Sequence, residues 1–405
     1  MPFDAPRQHG ADAATRQGAS LLYVLSADAS AGMEAEGLVS AEVAGLRSLG
    51  TRVVPFMLND AAFRLDPALA GEAMTTVGTP SPGLSTTARS PIALARATRL
   101  AMAQRSLPAA QAMRMGARVA AAAREHGCSG IHAIASDDAA TAALIGGRLA
   151  GMPVSIAGRG GEVYAKADDL ALKLRAADIA IAACAEMAED FRSLAPRATV
   201  RAVDRGIDAE WFRPGPGLER NGRILCLSPL VPRSGISTML AALAHLPKEF
   251  RPVVDIIGAG PLLEVLRAEA LERGISDHAR FLGTRGRRWV AEEGQRYLGL
   301  VAPGIVAPDG DRDPAPVAVL QAMALELPVL ASAVMGLRQI VQPDSGHLVP
   351  PGEASPLARG LHWLSIMPEE HRRRLGRSGR DRILGGYTMA DRAVALAQTL
   401  TGRAE

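Results

Sequence analysis

Aromatic residues are scarce, at 3% of 405 positions, which leaves few flat rings on which nucleic-acid bases stack. Cysteine is scarcer: Cys128, Cys184 and Cys226 have no paired spacing. Their apolar or small-residue surroundings suit reduced, buried thiols in a cytosolic protein, not a disulfide framework. The eight histidines are scattered, and no Cys/His cluster has zinc-ligand spacing. No uninterrupted apolar run approaches the ~20 residues that a membrane span needs. Residues 1–19 lack the apolar central stretch of a signal peptide and read as a disordered lead. One-sided charge is also missing. With 45 basic and 42 acidic residues the chain carries +3, too little to argue for a nucleic-acid partner.

What is present is an ordinary globular composition, 48% hydrophobic and 21% charged. At roughly 150 residues per domain this length predicts two or three domains. Short apolar runs alternate with helical periodicity. In the first half, strands at 21–25, 52–57, 131–135, 153–157 and 179–184 are interleaved with helices at 38–49, 139–149 and 169–177. The glycines Gly50 and Gly151 stand where helix C-caps belong. Between Asp208 and Gly222 the periodicity collapses into a run with two prolines and three glycines, which reads as a linker. Alternation then resumes, with strands at 223–228, 252–257, 280–282, 298–302 and 329–332 and helices at 236–246, from 262, and at 316–325. The pattern predicts two α/β domains, each a parallel sheet built from right-handed crossovers. Ligands of such sheets bind beyond the carboxyl ends of the strands, so the cleft between the domains is the expected site.

Residues 92–125 differ from the rest. Arg96, Arg99, Arg105, Arg114, Arg118 and Arg124 are interleaved with Leu94, Leu100, Met102, Leu107, Met113, Met115 and Val119. Such a basic amphipathic stretch fits an anionic membrane surface, and equally a solvated helix face beside a core.

Two segments carry candidate chemistry. Gly258-Ala-Gly-Pro261 follows a strand and opens a helix; glycine there lets the backbone approach a ligand and helix N–H groups offer an anion site, while a plain tight turn fits as well. Pro261 suits a first helical position. Further on, Asp309, Asp311 and Asp313 crowd the loop before the helix that begins at Pro316. Asp313, preceding Pro314, is held extended. Carboxylates in that place bind sugar hydroxyls or complement the positive helix end, and their single-loop origin argues against a metal site. Gln321 lies one turn into the helix and would face the same loop if Val317 and Leu320 face the core.

The order of these pieces resembles the family 4 glycosyltransferases of the GT-B fold, nearest to bacterial enzymes of exopolysaccharide and colanic-acid-type synthesis. The matching stretches are 130–164, AVDRGIDAEWFRP (202–214), ILCLSPLVPRSG (224–235), 255–283, DGDRDPAPVAVLQAMALELPVLAS (309–332) and GHLVPPGE (346–353). The resemblance implies two Rossmann-like domains facing across a cleft: an acceptor domain over 20–207, the linker at 208–222, and a donor domain over 223–386. A C-terminal helix within 387–405 would pack back on the first domain. It also implies sugar transfer from a nucleotide-diphosphate donor with retained anomeric configuration and no cofactor or essential metal. The acceptor would be a glycan or lipid-linked, the setting cytoplasmic or peripheral at the inner membrane face.

Carried onto this chain, Asp313 and Arg159 take the catalytic places. Arg233, Ser234, Gly258, Gly260, Pro261, Pro316, Val317 and Gln321 take the donor side, and Glu36 and Glu162 the acceptor side. The chain departs from the family pattern at Pro229, where an arginine is usual, and at Ser234, where a lysine is usual. Gln321 stands in place of the second acidic residue, and the usual histidines are absent from 157–162. Gln321 can hydrogen-bond a ribose but lacks two acceptor oxygens. These departures keep a second reading open, a catalytically inactive relative serving as partner or regulator of an active glycosyltransferase. A nucleotide-sugar epimerase of the same fold is a third.

Overall fold

The first strand, β1 (Ser20–Leu25), is buried along its whole length, as a strand covered by helices on both faces must be. It pairs in parallel with β2 (Arg52–Met57) on one side and β4 (Gly130–Ala133) on the other. With β3 (Met74–Thr75), β5 (Val154–Ala157), β6 (Ile179–Ala182) and β7 (Val200–Ala202), these form a seven-stranded sheet in the order β3-β2-β1-β4-β5-β6-β7. A second sheet comprises β8 (Ile224–Leu227), β9 (Val254–Ile257), β10 (Ala279–Gly283), β11 (Leu300–Ala302), β12 (Val329–Ser332) and β13 (Gly346–Val349). Its order is β10-β9-β8-β11-β12-β13, again all parallel. Each order reverses once, between β1 and β4 and between β8 and β11, where doubly wound folds open a crevice at the carboxyl ends. This computed structural model describes residues 20–25, 33–58, 74–75, 83, 87–165, 167–215 and 219–401.

Local chemistry sets the elements. Helix Asp138–Ala150 starts where the Asp137 side chain accepts the Ala139 N–H at 2.8 Å, and it ends at Gly151 with φ +71°. The basic stretch folds as two helices, Pro91–Ala103 and Ala109–Glu125. Their alanine faces pack on Ile145 and Leu149, leaving Ile92 (66%) and Met102 (74%) exposed beside exposed Arg96, Arg99 and Arg114. Among the described residues, no helix is long and apolar enough to cross a membrane.

Two connections join the halves. The stretch read as a linker is not a free tether over its described part. Ala209 and Phe212 are buried in the second domain's core, and Arg380 donates to both their carbonyls. The chain then returns. Ile207 and Thr388 form an isolated parallel bridge, and helix Met389–Thr401 lies on helix Met33–Ser48, where Leu396 joins Val39, Val43 and Leu46. Arg392 pairs with the buried Glu42 and donates to the Val203 and Asp204 carbonyls at 3.1 and 2.9 Å. The last helix thus belongs structurally to the first domain. The disordered-lead reading of 1–19 lies outside the described residues.

Candidate functional site

The loops leaving β5 and β7 present two guanidinium groups. Arg159 follows β5 and Arg205 follows β7, and Arg205 reaches back to donate to the Arg159 carbonyl. Arg205 also spans the domains: its Nη1 donates to the Ala315 carbonyl at 2.8 Å and lies 3.6 Å from Asp313 Oδ1. The Arg159 guanidinium, half-buried, makes no hydrogen bond or ion pair among the described residues. Burial lowers its pKa, and the neighbouring Arg205 charge lowers it further. The Glu42 and Glu162 carboxylates act in the opposite sense without hydrogen-bonding it, so the guanidinium keeps its donors free for an anion.

From the second domain the loop between β11 and helix Val317–Ala324 closes on this pair. It is folded on itself: the Ala307 and Gly310 N–H groups bond to Asp311 and Ala307 carbonyls, and Asp309 accepts the Asp311 N–H at 3.0 Å. Asp313 accepts the Ala315 N–H at 3.1 Å. Helix Val317–Ala324 begins at Pro316 with no side-chain cap and no acidic residue in its first turn. Its positive end is therefore left without a carboxylate of its own helix. Gln321, 3% exposed, has its Oε1 buried with no donor among the described residues.

Arg233, in the turn after β8, gives its Nη1 to Asp311 Oδ2 at 2.6 Å, while Asp311 Oδ1 is buried and unpartnered. A Cβ on Gly161 would lie 3.7 Å from Asp311 Oδ1 and 3.9 Å from Arg233 Nη1, so both domains meet at this ion pair. A second contact flanks it. Arg312 lies 3.8 Å over the Tyr164 ring and 3.0 Å from Asp190, and the Tyr164 hydroxyl donates to Asp190 at 2.8 Å. Burial, then the Asp190 carboxylate, push the Tyr164 phenol far up.

The structure brings Arg233 and Asp313 to the contact between the domains, with the Arg159 carbonyl held by Arg205 beside them, and leaves Gln321 buried one turn into the helix that Pro316 and Val317 begin. Others in the reading go elsewhere. The Ser234 hydroxyl is buried and donates to the Pro229 carbonyl, so it faces its own turn and not the cleft. Gly258 and Gly260 serve the chain's own backbone. A Cβ at Gly258 (φ +155°) would stand 1.9 Å from the Ser228 oxygen, and one at Gly260 would stand 2.4 Å from the Leu230 oxygen. Pro261 is exposed and precedes helix Leu263–Glu272 by two residues instead of occupying its first position. Glu162 folds back to accept the Arg159 N–H, and burial raises its carboxyl. Glu36 lies within helix Met33–Ser48, but its side chain is outside the described set.

Sequence reasoning did not place Arg205, Asp311, Arg312, Tyr164 and Asp190 together, although all but Asp190 stood in quoted segments. It also passed over a cavity of about 40 Å³ behind Arg159, lined by His132, Glu42, Arg205 and Arg392 among others. His132 there bonds Ser155 at 2.8 Å, and burial takes its pKa down to about 4. Among the described residues, no three His, Cys, Asp or Glu groups are placed to hold a metal ion.

Residues 209–382 match the family model for glycosyl transferases group 1. The match falls almost entirely within the second domain. Over 224 residues the chain is 26% identical to the GDP-mannose-dependent alpha-(1-6)-phosphatidylinositol monomannoside mannosyltransferase of Mycobacterium tuberculosis, covering 51% of this chain and 57% of that protein. Over 180 residues it is 30% identical to the amylovoran biosynthesis glycosyltransferase AmsK of Erwinia amylovora, covering 42% and 43%. The chain thus spans about half the length of the curated relatives it matches. Anabaena Alr3699/HepE, solved in complex with UDP, superposes with TM-score 0.71 at 18% identity, covering 95% of this chain and 99% of that one. The fold is that of the GT-B glycosyltransferases, two Rossmann-like domains across a cleft.

Proposed function

We propose that the protein transfers a sugar from a nucleotide-diphosphate donor to a lipid-linked or polysaccharide acceptor in cell-surface glycan synthesis, with retention and with no resident cofactor or metal. The observation that carries this reading is the half-buried Arg159 guanidinium, which makes no hydrogen bond or ion pair among the described residues, on a loop whose next residue, Gly160, abuts Arg312 and Pro314 ahead of the uncapped helix Val317–Ala324. In the proposed complex Arg159 and Arg233 meet the diphosphate, where negative charge grows as the sugar departs. The first-turn N–H groups at Val317 add to that stabilisation. Asp313 holds the donor sugar, and Gln321 Oε1 accepts a hydrogen bond from a ribose hydroxyl. Cations fixed in this way do without a metal the work of neutralising the leaving group. The acceptor enters from the first domain.

The exposed Ile92 and Met102 among Arg96, Arg99 and Arg114 support a further element of the reading, peripheral attachment to an anionic inner membrane face. The test of function is incubation with UDP-, GDP- and ADP-sugars plus a polyisoprenyl-linked glycan. Transfer with an α-donor giving an α-product supports the proposal. Absence of both transfer and donor hydrolysis with every donor opposes it. One observation favours an inactive, partner-serving role instead: the Arg233 and Arg205 charges are already met by Asp311 and Asp313. Capture of an active glycosyltransferase together with failure of all nucleotides to bind would support that second reading.

A further inference from the structure

Arg233 is the cation nearest the place of the family's missing lysine, yet its guanidinium is taken by a carboxylate from the chain itself. Asp311 approaches it through one oxygen at 2.6 Å, and the other oxygen is buried with no donor. Asp311 is 9% exposed, so that oxygen is withdrawn from bulk solvent with no protein donor to meet it. A half-satisfied buried carboxylate is a costly arrangement that any better-matched anion can displace. The loop that delivers Asp311 is secured without it: Arg312 grips Asp190 and Tyr164, and the Gly336 N–H holds the Pro314 carbonyl at 3.0 Å. Asp311 can therefore leave Arg233 while its neighbours stay docked.

We propose that Asp311 is an internal stand-in for phosphate, an autoinhibitory contact that holds Arg233 until the diphosphate of a nucleotide donor takes its place. The inference rests on the donor-site reading above and adds to it a competition at one cation. A diphosphate brings more charge and more acceptor oxygens than one carboxylate oxygen, and arginine grips phosphate in a fork. The displaced Asp311 regains solvent. The exchange makes the site selective against weak anions, because each must first pay for opening the ion pair.

The sign of the effect separates this role from a merely structural one. Removing the competitor tightens binding, whereas removing a structural support loosens it. Calorimetric titration of the whole chain with uridine, guanosine and adenosine diphosphates is the experiment, comparing wild type with Asp311→Asn and Asp311→Ser. For the nucleotide that binds, both variants are expected to lower Kd about three- to ten-fold, the worth of a partly exposed ion pair. The corresponding unphosphorylated nucleoside should gain nothing. Asp311→Asn added to Arg233→Met should also gain nothing. Wild-type binding with equal or weaker binding by the variants overturns the competition and leaves the donor site standing. Binding by neither overturns the donor site and the competition together. Hydrogen exchange on the wild type covers the case in which the variants do not fold. The 307–311 turn should exchange faster with nucleotide bound, and protection there overturns the proposal.

Discussion

The Arg312 guanidinium lies 3.8 Å above the Tyr164 ring, although 148 positions separate the two residues and each belongs to a different domain. With Asp190 as common partner, they clasp the aspartate loop of the second domain to the first. Residues of the two domains meet across the cleft in this arrangement, Arg205 with Asp313 among them. Arg312→Ala should therefore increase the radius of gyration in small-angle scattering and lower apparent donor affinity roughly five-fold, as the competent fraction falls. Tyr164→Phe, which keeps the ring, should have a smaller effect. An unchanged radius would remove the clasp from the account.

Ser234 stands where the family pattern has lysine, but its hydroxyl is buried against the Pro229 carbonyl. Ser234→Lys should not restore a cation to the cleft. It should destabilise by about 2–4 kcal/mol, the cost of a buried, poorly partnered ammonium. Denaturant titration measures the loss. A stable variant with improved donor turnover would mean that this turn opens toward the ligand.

Gly258→Ala forces a methyl group against the Ser228 oxygen at 1.9 Å. A loss of more than about 2 kcal/mol is expected with or without nucleotide, because backbone must move. Gly286→Ala, where an added Cβ meets nothing within 4 Å, is the control. Equal stability of the two variants would contradict the placement of this turn.

His132 is buried neutral, its pKa taken from 6.5 to about 4. The unfolded chain binds this proton below pH 6.5 while the folded chain refuses it until about pH 4. Stability is therefore fully present above pH 6.5 and is lost as pH falls through that window, by at most about 3 kcal/mol. Denaturant midpoints from pH 7.5 to 4.5 should show a slope that His132→Gln reduces. Identical slopes would place the titration elsewhere.

The scaffold was legible in the sequence because parallel strands buried on both faces leave continuous apolar runs, as in β1 and β12. Short or half-buried strands leave none. The run Val200–Ala202 has one buried residue of three, and Met74–Thr75 is two residues long. Helix Glu369–Leu384 was not read because arginine and glutamate dominate it, although Arg372 is buried and donates to three backbone carbonyls. Of the candidate site, Arg159, Arg233, Asp313 and Gln321 were singled out through family order. What that order did not carry was pairing. Arg233 and Asp311 are 78 positions apart, and Arg312 and Asp190 are 122 apart. Nor does periodicity reveal that Gly258, Gly260 and Ser234 serve the packing of their own turns.

The central claim is that Arg159 binds the diphosphate of a nucleotide donor. Calorimetric titration of wild type and Arg159→Met with UDP, GDP and ADP tests it most directly. The account predicts that one of the three binds the wild type and that the variant loses about ten-fold or more in affinity, the worth of a desolvated charge-assisted contact. Equal affinity in the two proteins, or no binding of any of the three at millimolar concentration, would contradict it.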